Sequence, residues 1–433
     1  MKPFVTAGLI CAVALSVGGT SLATPQYPVA VVQQTGGIPI YVESDRNALL
    51  TGVQLFVPAG LDREAPNTSG AAPLVLECVL RTPVMLAGRR MPLREAIADA
   101  GGSIDGAVEG RWTRFYLEGR VTEMPAIVGL LQQALAAPDL SGQTLSSARA
   151  ALLQSVMQSQ QNPISVAVEM FRRSYYLGGN GLPDFGSAAI VARLGKPELQ
   201  AFFTQNYLRG GTRVVTIGNA DADVATAVGK LIQTLPAGTP AVVQAQTRPF
   251  DPRPARIIAR RDVGDPLLVV GFAAPSPGNR DFAAMLVINT VITTGLEHSR
   301  TTQSLLPNSI GSYYLYDTAP ASLAVYVNGS RVDPTLGLRE VLTVATTLGD
   351  RPMVDKTLDK FKAIARGKLL MSSSRYGDRA YLIGTLARDG NDPLNAVMAS
   401  LDRVTPADIQ RVAKKYLESY TIAIVLPRNT GGE

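Results

Sequence analysis

Residues 115–131, FYLEGRVTEMPAIVGLL, read as a strand, a short turn and a helix whose apolar positions Ile127, Leu130 and Leu131 share one stripe. Residues 325–342, VYVNGSRVDPTLGLREVL, read the same way, with Leu338, Val341 and Leu342 on the stripe. Gly119 and Gly329 stand 210 residues apart. A second pair of segments repeats at nearly that spacing. Lys196-Pro197 opens a helix reaching Tyr207-Leu208, followed by a strand from Arg213 to Ile217. Thr405-Pro406 opens a helix reaching Tyr416-Leu417, followed by a strand from Thr421 to Leu426. Pro197 and Pro406 are 209 apart, as are Tyr207 and Tyr416. Proline in a first helical turn is common, so one such motif carries little. Two motifs sharing an offset point to tandem duplication.

The duplication sets the domain plan. Residues 1–23 are expected to be a signal peptide, 24–235 the first half, 236–254 a proline-rich linker and 255–433 the second half. Each half opens with strands, Ile38 to Val42 and Thr51 to Val57 in the first, Ile257 to Ala259 and Leu267 to Phe272 in the second. Helical patterns and further strands follow. This order predicts an α+β fold of two tandem homologous halves, each a mostly antiparallel sheet with helices packed on one face.

Export is expected because Lys2 precedes an apolar run from Phe4 to Val17, and Ser21-Leu22-Ala23 has the small residues of a cleavage site. That run is too short for a membrane span, so no integral membrane segment is expected after cleavage, and the periplasm or cell envelope is the expected location. The chain carries 41 Lys and Arg against 35 Asp and Glu, a small surplus spread along the sequence. Nucleic acid is therefore not an expected partner, and the densest basic cluster, Arg253 to Arg261, reads as the solvated lead into a strand. Cys11 leaves with the signal, so the mature chain holds Cys78 and His298 as its sole cysteine and histidine. An internal disulfide is excluded, and so is a zinc site built from the usual nitrogen and sulfur donors alone.

The strand from Gly52 to Gly60, GVQLFVPAG, leads through LDREAPNTSG to an apolar helix, AAPLVLECVLRTPV, interrupted by Glu77. A lone carboxylate in such a helix ordinarily reaches solvent or serves as a structural acceptor. In pattern the region resembles the insulinase/pitrilysin-like peptidases, whose inverted zinc motif reads Gly-x-x-His-x-x-Glu-His on a helix. The resemblance implies zinc as the cofactor of active relatives, with the glutamate activating the bound water. Laid on Glu77, the motif puts Leu74 and Cys78 at the two histidine positions. The resemblance further implies a distal ligand in the helix ARAALLQSVMQSQQNP, where Gln154, or Ser155 if the alignment slips by one, replaces the acid. A retained base position with no metal ligands implies a degenerate, non-catalytic member that needs no cofactor.

The family also uses an arginine and, seven residues later, a tyrosine to hold peptide. The resemblance assigns the tyrosine to Tyr313, while Leu306 occupies the arginine position and Arg300 lies nearby. His298 reads as a surface residue. No phosphate loop, dinucleotide fingerprint or nucleophile elbow is present. The resemblance thus implies a subunit that pairs with an active zinc-binding paralogue and meets peptides in a shared chamber. The competing reading is a stand-alone envelope scaffold binding peptides or proteins.

Overall fold

The computed structural model describes residues 31–35, 37–244, 246–249, 255–297, 310–329, 334–387 and 392–428. The expected signal peptide, His298, Arg300 and Leu306 lie outside these residues. The first half starts with strands β1 (Val31–Thr35), β2 (Ile38–Ser44) and β3 (Leu50–Val57), then helix α1 (Ala71–Arg81). A small hairpin, β4 (Pro83–Leu86) and β5 (Arg89–Pro92), leads to α2 (Leu93–Asp99), β6 (Gly102–Val108) and β7 (Thr113–Arg120). Helices α3 (Met124–Ala136), α4 (Gly142–Gln161) and α5 (Pro163–Tyr175) follow, then β8 (Tyr176–Leu177). The half closes with α6 (Ala188–Val191), α7 (Lys196–Asn206), β9 (Arg213–Gly218) and α8 (Ala222–Thr234).

After β10 (Gln246–Thr247), the second half runs β11 (Arg256–Arg261), β12 (Leu267–Ala274), α9 (Phe282–Glu297), β13 (Ile310–Leu315) and β14 (Ala321–Asn328). Four helices come next: α10 (Pro334–Asp350), α11 (Asp355–Met371), α12 (Tyr376–Leu386) and α13 (Pro393–Asp402). Helix α14 (Pro406–Leu417) and strand β15 (Tyr420–Pro427) complete it.

The two main sheets have the same plan. The first is ordered β1-β2-β9-β3-β7-β6 and the second β11-β15-β12-β14-β13. Each is antiparallel apart from one parallel pair, β2 with β9 and β11 with β15. Removing β1 makes the two orders superimposable element by element, as a duplication requires. The α+β class and the two-half architecture therefore stand as read from the sequence.

Strand alternation sends successive side chains to opposite faces. In the first sheet Val53, Leu55 and Val57 point into a core shared with α1, α3 and α7. In the second, Leu268, Val270 and Phe272 point into a core shared with α9 and α14. The opposite faces are covered by exchange between halves. From the first half, Val166, Ala167 and Phe171 of α5 pack on Leu267, Val269, Ala324, Ala423 and Val425 of the second sheet. Reciprocally, Ala380 and Ile383 of α12 pack on Tyr41, Phe56, Val215 and Ile217 of the first sheet, beside Trp112.

Each contact is close enough to require glycine. A Cβ on Gly271 would lie 2.1 Å from the Phe171 ring, and one on Gly384 would lie 2.1 Å from the Phe56 ring. Around α12 the clasp also has polar contacts: Arg379 and Glu43 form a 2.7 Å salt bridge, and Arg213 donates to the Gly384 carbonyl at 2.6 Å. Within the expected linker, Gln246 and Thr247 pair with Leu177 and Tyr176. Among the described residues no helix is long and apolar enough to cross a membrane.

Candidate functional site

Helix α1 begins at Gly70, whose φ of +97° is a conformation that side chains disfavour. Its first turn is capped by Glu64, a residue that reads in sequence as one more member of a polar loop. The Glu64 carboxyl accepts N–H bonds from Gly70 at 2.9 Å and Ala72 at 2.8 Å, satisfying donors that the helix leaves unpaired. Burial pushes its pKa up to about 8, against the downward pull of those two donors. At the other end the Thr82 hydroxyl donates to the Cys78 carbonyl at 2.9 Å, and Pro83 follows.

Leu74 and Cys78 have no exposed surface and belong to the first-half core. Burial pushes the Cys78 thiol up to about 12, so it stays protonated and is a poor metal donor. Glu77 sits on the half-buried flank of α1 and forms a salt bridge with Arg81 one turn on. On α4, Leu145, Ala148 and Leu152 turn into the core that also contains α1. Gln154 is on the opposite, exposed side of α4, and Ser155 is half-buried with its hydroxyl on the Ala151 carbonyl at 3.3 Å. The helical period is the reason: Gln154 lies two residues from Leu152, about 200° around the axis.

Leu74, Cys78 and Gln154 are thus not gathered into one site. Placing the motif's glycine on Gly70 instead moves the metal positions to Pro73 and Glu77 and the base position to Leu76. Neither register supplies a histidine. Zinc does not fit these residues, and among the described residues no three His, Cys, Asp or Glu side chains form a group able to hold a metal ion.

Tyr313 lies elsewhere. It is 45% exposed on β13, with its ring 5.7 Å from that of Tyr326. It lines a cavity of about 330 Å³ between the halves, together with Glu109, Arg172, Asp184, Asp317 and Tyr381. There the Gly110 N–H donates to the Asp317 carboxylate at 2.7 Å, joining the two halves. A Cβ on Gly110 would come within 2.5 Å of Thr318, so glycine permits this approach. Burial, with Asp317 adding to it, pushes Glu109 up to about 7, although Arg114 is bonded to it at 2.7 Å. Buried Arg172 is held by Asp184 and by the Asn180 carbonyl at 2.9 Å. Such a cavity offers a peptide an aromatic edge and acidic groups, and Glu77 does not line it.

With this geometry the likenesses to known proteins fall into place. Residues 193–342 match the family model described as the Peptidase M16 inactive domain. Over these residues the chain is M16-like. M16 denotes the insulinase and pitrilysin family, so the resemblance read from the sequence holds. The M16-like chain is 20% identical over 412 residues to an uncharacterized zinc protease of Mycobacterium bovis, covering 91% of this chain and 92% of that protein. In fold it is similar to a protease from Helicobacter pylori, with a TM-score of 0.82, 15% identity, and coverage of 93% of this chain and 100% of that one. A peptidase M16 inactive domain from Pseudomonas fluorescens superimposes with a TM-score of 0.78, 16% identity, and coverage of 93% and 100%. A non-catalytic, peptidase-like protein is the reading that matches both the family model and the emptied helix α1.

Proposed function

We propose that this chain is an exported, non-catalytic M16-like subunit that assembles with an active zinc-binding peptidase of the same family, peptide hydrolysis belonging to the partner. The observation that carries the reading is the contrast between a preserved framework and an α1 in which Leu74 and Cys78 have become core residues. A two-shell chamber needs both shells, whereas one metal site suffices for hydrolysis. Tyr313 is proposed to touch peptide from this side, and its exposure on β13 supports that role. The periplasm or cell envelope is the proposed location, on the leader-like first 23 residues.

Co-purification from the native envelope fraction, followed by peptide-cleavage assays on each chain and on the mixture, tests the proposal. The expected result is activity in the partner or mixture, none in this chain alone, and a modest loss in the mixture on Tyr313→Phe. If this chain purifies alone and a paralogue is fully active without it, the stand-alone scaffold reading replaces this one.

A further inference from the structure

In the first sheet the outer edge of β2 is covered by β1, which pairs with it antiparallel from Val31↔Val42 to Thr35↔Ile38. The equivalent strand of the second sheet is β11, and among the described residues β15 is its sole strand neighbour. The chain ahead of β11 is diverted, since Gln246 and Thr247 pair with β8 instead. Duplication therefore shows what fits the outer edge of β11: an extended strand. The Ala255 and Arg261 carbonyls accept from Ile422 and Arg428, on the β15 side, so the alternation of the ladder turns the peptide groups of Arg256 and Ile258 to the outer edge.

Two clefts flank β11 on its α5 side. One, of about 900 Å³, is lined by Arg173, Arg261 and Arg428 with Glu169 and Asp262. The other, of about 500 Å³, is lined by Arg173, Arg248 and Ile257. Met170 and Arg173 belong to both, so the clefts adjoin. The four arginines outnumber the two acids, and none of the four forms a salt bridge among the described residues. Ile258, 51% exposed on the other face of the strand, adds an apolar contact.

We propose that the outer edge of β11 and the arginine-lined clefts beside it form a docking site for an extended acidic segment of another polypeptide. Main-chain pairing supplies the common affinity and the arginines select for acid, the division of labour expected of strand addition. The alternative role for charge on an edge strand is to repel unwanted pairing. The two roles predict opposite outcomes with an acidic probe. The proposal is independent of whether the catalytic partner is a zinc peptidase.

The test uses the full chain and three labelled octapeptides: alternating glutamate and valine, alternating lysine and valine, and the glutamate peptide N-methylated at alternate nitrogens along one edge. Fluorescence anisotropy is expected to show binding of the acidic peptide, with the lysine and N-methylated versions about tenfold weaker or worse. Hydrogen exchange over residues 255–262 should slow on binding. The variant Arg173→Glu/Arg261→Glu/Arg428→Glu should bind the acidic peptide about tenfold less tightly at an unchanged melting temperature. Ile258→Pro, which removes one outward N–H, serves if the triple variant is unstable. Equal binding of acidic and basic peptides, insensitivity to N-methylation, protection elsewhere or no binding would overturn the proposal. Concentration-dependent protection of the same residues without peptide would overturn it in favour of a second copy.

Discussion

In the first half the chain reaches α1 past Glu64, a buried carboxyl that accepts two backbone N–H bonds and forms no salt bridge among the described residues. In the second half it reaches α9 past Asp281, equally buried but met by Arg411 at 2.6 Å and Lys415 at 2.9 Å, with Tyr416 at 3.3 Å. Those partners lie on α14. Shifting by the repeat offset of 209 takes Asp281 to Ala72 and its partners to Phe202, Asn206 and Tyr207 at the end of α7, so neither the acid nor its cations have a counterpart in the first half. The two helix starts thus have opposite electrostatics. Burial wins at Glu64 and raises its pKa, whereas at Asp281 burial is outweighed by Arg411 and Lys415 and the pKa is lowered. Duplication preserved the order of strand and helix and left the charge at the helix start free to diverge.

The largest expected effect is at the charged helix start. Asp281→Ala strands two cations beside the core, but both reach solvent, so a loss of about 2–3 kcal/mol in urea denaturation is expected. Glu64→Ala removes only a cap and should cost about 1–2 kcal/mol. Equal costs would erase the distinction between the two helix starts.

Next come the paired glycines of the exchanged helices. Gly271→Ala and Gly384→Ala should each cost about 1–3 kcal/mol, because an aromatic ring must move in either case. A cost confined to one of them would show that the two crossings are not equivalent.

A further effect contrasts these two helix starts by pH. In the folded first half Glu64 is pushed to about 8, Glu109 to about 7 and Asp62 to about 6, all above unfolded carboxylates near 4. The folded chain then binds more protons than the unfolded chain across that window, so stability falls as pH rises from about 5 to about 8. Asp281 acts in the other direction, its contribution being present above about 4 and lost as pH falls through its lowered value. Melting temperature should therefore rise from pH 8 to about 5 and fall again in stronger acid. Glu64→Gln should flatten the first limb and Asp281→Asn the second; one limb insensitive to both variants would sink the assignment.

The smallest expected effect is none at all. Added zinc should leave the melting temperature unchanged and elemental analysis should find no stoichiometric metal, since α1 offers a buried thiol and a paired Glu77. One zinc per chain, lost on Cys78→Ser, would restore a metal role to the first half.

The repeat was legible because Gly119 and Gly329, Pro197 and Pro406, and Tyr207 and Tyr416 mark turns and helix ends, where residue type is tied to backbone geometry. What escaped was spatial rather than local. The stripe of Val166, Ala167 and Phe171 announces a buried helix face but says nothing of which sheet it meets, and α5 crosses to the sheet of the other half. Glu64 looks like any acid in a polar loop, because its role depends on a turn that folds it back over Gly70 and Ala72. Gln154 follows from counting residues beyond Cys78, while helical phase turns it to solvent and leaves Ser155 nearer the core.

The reciprocal crossing of α5 and α12 bears on the order in which the protein is made. When the first half has been synthesised, its sheet still carries Tyr41, Phe56, Val215 and Ile217 without the helix that covers them, and that helix lies some 160 residues further along the chain. Helix α5 waits longer, because Ala423 and Val425 of its binding surface belong to the last strand. A nascent chain therefore holds two uncovered apolar faces until synthesis is almost finished, which calls for a holding factor during translation. Once both crossings are made, a cut in the 236–244 segment leaves two fragments that still grip one another.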